Sequence, residues 1–461
     1  MQTEIVFGDR FIGVNLPDDT VFPSPGIGAS LPVATDLEVE IRRALAEPLD
    51  TPPLRDNAKP GARVTIAFDD PTVAQYAPLW STAFPLVLAE LDAAGVRRDD
   101  VRLLCANALH RMFTHGELAT ILGDDIVREF APRLTCHDAE DPDGIVALGQ
   151  TPSGLYVDLN RAVVESDLTI YLNCSTYRGF SGGWKSICVG LSTFRSIHHH
   201  HNPTDMSMSF DRNRMHAMLD EMGALVVEKL GRDRIFKIET VQANPLQVSR
   251  VLSGTVDATR REALSMLRAH QAPRRDLVTE RVDIVVYGVP AWSPYAAFAT
   301  MNPILTLVST GLGYLGGVIE AFGKPGCSVV LATPCPVTWD DVHHPSYREV
   351  WERVLPETHD PDRAQALFES DFATRRDYVE KYRFANGFHG AHGLMAIYPL
   401  KRLRHAGRVI VAGAEDPSVA RHLGFESAPT VEAAIDAARA IHGPSASIAC
   451  VKYPPAFNRA K

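Results

Sequence analysis

Short runs rich in β-branched residues recur along this chain at intervals long enough to hold a helix, and that alternation restricts its fold more than any other feature. Arg63 to Phe68, Val101 to Ala106, Leu168 to Leu172, Asp283 to Tyr287, Ser328 to Ala332 and Arg408 to Ala412 read as strands. Between or beyond them, Pro85 to Ala94, Thr114 to Leu122, Ala217 to Leu230 and Thr430 to Ala440 read as helices. Such alternation builds α/β domains with largely parallel sheets flanked by helices. At 461 residues the chain exceeds what one core usually supports, so two domains are expected. A charged helical stretch followed by a Pro-Arg-Arg break places a hinge near Ala272 to Leu277. The expected division is 1–272 and 277–446, with residues 447–461 returning to the first domain and an active site in the cleft between the two.

The net charge of -10 gives no basic field to attract nucleic acid or an anionic membrane, so small-molecule chemistry is favoured. No apolar run approaches the ~18 residues of a membrane span. The opening MQTEIVFGDR lacks the apolar core of a signal peptide, and a cytoplasmic location is expected. Seven cysteines are scattered singly, without a CxxC pair, which favours reduced thiols over a disulfide framework or a thiolate zinc site.

Several clusters carry chemistry. In FDDPTVAQ, Asp69 and Asp70 end a strand, where α/β sheets place ligand groups, although aspartates there also cap turns. His110 follows a strand and precedes a helix opened by Thr114, which can form a capping box with Glu117. In YRGFSGGWKS, Ser181, Gly182 and Gly183 make a small turn whose amides can approach a phosphate, with Lys185 close behind. The spacing does not match a Walker motif. In the run His198 to His201, neutral imidazoles can ligate a borderline metal such as nickel, though adjacent side chains cannot all point at one centre. Gly311, Gly313 and Gly316 spell GxGxxG, but the next strand, SVVLATP, ends without the acidic residue a ribose needs, so packing or a turn is the expected role.

GDRFIGVNLPDD, DDPT, ANALHR, His137-Asp138, LGQTPSG, DLNRAVVESDLTIYLN, GFSGGWKS and ARHLGFESAPTVEAAI occur in the order in which similar segments occur in the lactate racemase family, and the chain resembles that family almost end to end. The resemblance implies a racemase or epimerase that works by reversible hydride transfer. It also implies nickel and a nickel-pincer nucleotide, pyridinium-3,5-bisthiocarboxylic acid mononucleotide, delivered by cofactor-maturation enzymes. By that resemblance Lys185 is the attachment point, His201 the nickel ligand, His110 a catalytic base and Asp70 an acidic residue beside the cofactor.

Departures from the family are equally specific. Its second catalytic histidine falls on Ser175, for which Tyr177 and His200 are the nearest substitutes in sequence. Its carboxylate-holding arginine is Val73. Its late Gly-x-His-Lys element reads Gly387, Phe388, His389 and Gly390, losing a cation. A bidentate guanidinium is a strong carboxylate anchor, so the expected substrate is a 2-hydroxy acid or related hydroxy compound other than lactate. The alternatives are a one-face alcohol/carbonyl oxidoreductase with the same cofactor and a non-catalytic nickel or cofactor carrier.

Overall fold

The computed structural model describes residues 1–22, 31–72, 77–175, 181–207, 213–244, 247–270, 280–314 and 318–452. The hinge expected near Ala272 to Leu277 lies outside these residues, as do Val73 and Tyr177.

Strand periodicity explains the first sheet. In β3 (Val64–Asp69), Val64, Ile66 and Phe68 enter the core on one face while Ala67 enters the core on the other. In β4 (Val101–Ala106), Val101, Leu103 and Cys105 likewise oppose Leu104 and Ala106. Two-sided burial of this kind is what a parallel sheet covered by helices requires. With β5 (Leu134–Cys136), β8 (Leu168–Ser175), β9 (Ile235–Asn244) and β10 (Gln247–Gly254), they form a six-stranded sheet in the order β10-β9-β8-β3-β4-β5. All pairings are parallel except β9 with β10. A separate hairpin, β6 (Ile145–Gln150) with β7 (Tyr156–Asn160), lies beside it in the chain.

The second sheet is wholly parallel, in the order β14-β13-β12-β11-β15. Its strands are β11 (Val282–Gly288), β12 (Gly323–Ala332), β13 (Arg408–Ala412), β14 (Glu426–Ala428) and β15 (Ile448–Val451). The described end of the chain therefore pairs with β11 in the second sheet, not with the first domain to which residues 447–461 were expected to return. The amino-terminal hairpin, β1 (Gln2–Phe7) with β2 (Arg10–Asn15), also packs there: Ile5, Phe7 and Val14 share a core with Ile284, Val330, Ile448 and Cys450.

Helix ends follow their capping residues. Thr114 caps His115–Leu122 through a reciprocal box with Glu117, and Thr430 caps Val431–His442. The helix Ala77–Ala93 begins well before the expected Pro85, which sits inside it. The glycine-rich stretch is a wide-turn helix, Ile304–Tyr314, not a dinucleotide loop. A Cβ on Gly313 would lie 2.8 Å from Pro399, so close packing accounts for that glycine, while Gly316 lies outside the described residues.

Candidate functional site

Strand ends of the first sheet bring the site together, at the carboxyl side where parallel sheets bind ligands. β3 delivers Asp69 and then Asp70, and β4 runs beside it in register, Asp69 opposite Ala106. The turn after β4 is tightly held. Ala108 adopts a positive φ of 50°, the His110 amide donates to the Asn107 carbonyl at 2.7 Å, and the Asn107 side chain donates back to the His110 carbonyl at 3.1 Å. His110 Nδ1 thereby lies 2.9 Å from Asp70 Oδ2 and 2.9 Å from Thr72 Oγ1. Asp70 is 1% exposed, and its other oxygen accepts the Thr72 amide. A buried carboxylate can only accept, so it holds the imidazole proton on Nδ1 and leaves the Nε2 lone pair available.

The loop after β8 re-enters the described chain at Ser181. Gly182 and Gly183 have φ of 102° and 56°, and a Cβ on Gly183 would lie 2.8 Å from Arg260 Cγ. Glycine is thus required by both conformation and space. The turn is braced by fully buried Glu239, which accepts the Gly183 amide at 3.1 Å and pairs with Arg260, which itself donates to the Ser181 carbonyl at 2.7 Å. Lys185, on the short helix Trp184–Cys188, lines a cavity of about 460 Å³ with Gly182, Gly183, Arg260, Arg261 and Arg268. Asp220 and Asp257 share its wall, the latter accepting the Trp184 indole at 2.7 Å. Burial, and then the Arg260 charge, push the Lys185 amine down to about 8. The cluster of guanidinium groups suits a phosphate.

The four histidines fall into two pairs, His198 with His199 and His200 with His201, whose ring centroids lie 4.4 and 4.8 Å apart. His199 Nε2 accepts the Tyr156 amide at 3.2 Å, and the His198 ring stacks on Phe194. His200 is fully buried, with its Nδ1 2.7 Å from His201 Nδ1. With the shared proton on His201, the Nε2 of that residue offers a lone pair. Burial, then His200, Lys185, His110 and His392, hold His201 well below the ordinary histidine range, so it is neutral as a metal ligand must be. Lys401, from the second half of the chain, ties down the following turn by donating to the Pro203 and Met206 carbonyls, each at 2.8 Å.

His201 and His110 line one cavity, of about 90 Å³, together with residues of the second half. These include Tyr295, Ser309, His392, Met395 and Pro399, none of which the sequence singled out. His392 packs edge-on to His110, with ring centroids 5.3 Å apart, and its Nδ1 lies 2.8 Å from the hydroxyl of fully buried Tyr347. No Lys or Arg lines this cavity among the described residues. The resemblance had pointed to His389, but that ring is buried against Phe194, with Nε2 3.1 Å from Glu140 Oε1. The pair of histidines spaced by three in FHGAHG was the signal for His392.

The remaining expected residues are less engaged. Ser175 ends β8 opposite Val241 of β9, and its side chain lies outside what is described. His200, offered as a substitute base, is not on the cavity wall, and its Nε2 is buried without a partner among the described residues. No group of three His, Cys, Asp or Glu side chains suited to a metal occurs among the described residues. A metal at His201 would draw its other donors from a bound group. A buried amine at Lys185, a basic cavity beside it and one neutral imidazole at His201 fit a phosphate-bearing metal cofactor held at those points.

Residues 7–211 match the family model for the lactate racemase N-terminal domain. Lactate racemase of Thermoanaerobacterium thermosaccharolyticum is 28% identical over 227 residues, 46% of this chain and 51% of that protein. Lactate racemase of Lactiplantibacillus plantarum is 34% identical over 105 residues, 22% of this chain and 24% of that one. The matched segments thus span about half, or less, of those relatives. The fold extends further: the apoprotein structure of the T. thermosaccharolyticum lactate racemase superposes with a TM-score of 0.69 at 18% identity, covering 99% of both chains. A Thermotoga maritima protein structure gives 0.55 at 13%, covering 93% of this chain and 98% of that one. Together these similarities support a divergent member of the lactate racemase family. No described helix is long and apolar enough to cross a membrane.

Proposed function

We propose that this protein is a nickel-pincer nucleotide-dependent racemase or epimerase acting on a hydroxy compound other than lactate. The observation that carries the reading is the Asp70-oriented His110, whose ring shares a cavity with His201. When bound, the cofactor supplies a reversible acceptor for a hydride from a hydroxyl-bearing carbon. Lys185 and the Ser181–Gly183 turn would hold that group, with the arginines of the adjoining cavity around its phosphate, and His201 would donate to its metal. His110 takes the hydroxyl proton through Nε2 as the C–H electron pair leaves, and returns it when the pair comes back. Asp70 fixes the tautomer that makes this possible. Apolar walls at Val189, Ile197, Met395 and Pro399, without a described guanidinium, support a substrate held by shape more than by a carboxylate clamp.

The test is protein matured with the cofactor-making enzymes, analysed for nickel and intact mass, then incubated with single enantiomers of hydroxy compounds. Nickel, a mass adduct lost in Lys185→Ala and inversion of a substrate are expected. Conversion to a carbonyl product with no inversion would assign a one-face oxidoreductase instead, and nickel without any turnover a carrier.

A further inference from the structure

We propose that His110 and His392 hold a single substrate oxygen between them, His110 as acceptor and His392 as donor, so that this oxygen is the pivot about which the oxidised substrate turns. The proposal rests on the racemase reading above.

The two rings come from opposite halves of the chain. His110 follows β4, and His392 opens the short helix His392–Met395. Their planes stand 86° apart at a centroid distance of 5.3 Å, and both line the same cavity. Hydrogen-bond accounting sets their tautomers in opposite senses. Asp70 accepts at His110 Nδ1, leaving a lone pair on Nε2. Around His392 the roles reverse. The Tyr347 hydroxyl is fully buried, and among the described residues its partner is His392 Nδ1, at 2.8 Å. A buried phenol that gives up its water must donate, so its proton points at Nδ1 and the ring proton of His392 sits on Nε2. That Nε2 has no protein partner among the described residues.

A lone pair and an N–H, carried by two rings that line one small cavity, complement a hydroxyl group. The substrate O–H donates to His110 Nε2, and its oxygen accepts from His392 Nε2–H. With the cofactor bound, it would supply the acceptor for the carbon-bound hydrogen and its electron pair; the hydroxyl proton passes to His110 Nε2, and the C–O single bond becomes C=O. His392 stays neutral and keeps its hydrogen bond. A half-turn about the C=O axis then exposes the other face without moving the oxygen. The electron pair and hydrogen return to carbon, His110 returns the proton, and the enantiomer forms with no net redox change. A second base at the Ser175 position is unnecessary, because the oxygen never leaves His110. His392 is thus a catalytic residue that touches the reacting oxygen, and Tyr347 a positioning residue acting through it.

Nitrogen-15 histidine spectra of the apoprotein, assigned with His110→Gln and His392→Gln, read the tautomers directly. Expected are Nδ1–H for His110 and Nε2–H for His392, with Tyr347→Phe releasing His392 into a mixture. An Nδ1–H His392 in the wild type would overturn the proposal. In nickel-loaded enzyme with single-enantiomer mandelate and 1-phenylethane-1,2-diol as probes, His392→Ala should lower kcat roughly 100- to 1,000-fold, as loss of a donor to a reacting oxygen does. Its nickel content should hold, and His392→Gln, whose amide still donates, should recover part of the rate. Equal kcat for His392→Ala and wild type would overturn the pivot and leave the racemase reading standing. A nickel-loaded wild type that converts either probe to its carbonyl product without inverting it would overturn both.

Discussion

Asp70 Oδ2 lies 2.9 Å from His110 Nδ1, at the ends of two neighbouring parallel strands, and the carboxylate is almost wholly shielded from water. This contact sets which ring nitrogen carries the proton. Asp70→Asn, whose amide can donate, favours the opposite tautomer and takes away the Nε2 lone pair. Turnover of a hydroxy substrate should fall by roughly the 100- to 10,000-fold of a lost general base, with nickel content unchanged. Wild-type turnover in this variant would separate His110 from proton transfer.

Lys185 should behave as an unusually reactive amine. Burial and Arg260 lower it from 10.5 to about 8, so its uncharged fraction rises through that pH, far below an exposed lysine. Acetylation of the apoprotein followed by peptide mass analysis should give a Lys185 rate that climbs to about pH 8 and then levels. A profile like that of the surface lysines would contradict the site's electrostatics.

The two halves of the site differed in how far the sequence exposed them. Strands β4 and β13 match their expected bounds because β-branched runs and turn signals coincide there, and Asp70, His110 and Lys185 follow strand ends that the periodicity marks. β12 begins five residues before the expected Ser328, since Gly323 carries no β signal and joins only through pairing with Val282 of β11. His392, Tyr347 and Tyr295 were hidden for a different reason. They reach the site across the interface with the second half, and Leu109 is tied there through its carbonyl to the His389 amide at 3.0 Å. Local pattern carries no information about such long-range contacts. The hairpin β1–β2 joined the second sheet by the same kind of distant packing.

Within the histidine run, metal binding should be unequal. His201→Ala is expected to lose nickel, while His198→Ala and His199→Ala keep it, because those rings face Phe194 and the Tyr156 amide. His200→Ala removes the partner at His201 Nδ1 and should weaken nickel about 10- to 100-fold. Elemental analysis after dialysis measures all four; equal loss throughout would show that the run acts as a cluster.

Acid should destabilise the fold in a defined window. His137 is fully buried, its Nε2 2.9 Å from the Ser192 carbonyl, and burial lowers it from 6.5 to about 4. The unfolded chain takes up this proton first, so the contribution is complete above about pH 6.5 and is lost as pH falls towards 4. Across that window the loss amounts to about 3 kcal/mol for one such group. Urea midpoints measured over this range should fall with pH, and His137→Gln should flatten the slope. A wild-type midpoint independent of pH there would contradict a neutral buried ring.

Inversion by reversible transfer of the hydrogen on a hydroxyl-bearing carbon is measured most directly with a substrate deuterated at that carbon. Nickel-loaded protein is incubated with one enantiomer in ordinary water, without added redox partner, and the product is resolved by chiral chromatography and weighed by mass spectrometry. The expected product is the opposite enantiomer with deuterium retained on carbon, formed more slowly with the heavier isotope and not formed by the Lys185→Ala protein. Inversion with the deuterium exchanged for solvent hydrogen would mean proton abstraction from carbon, and would contradict hydride transfer.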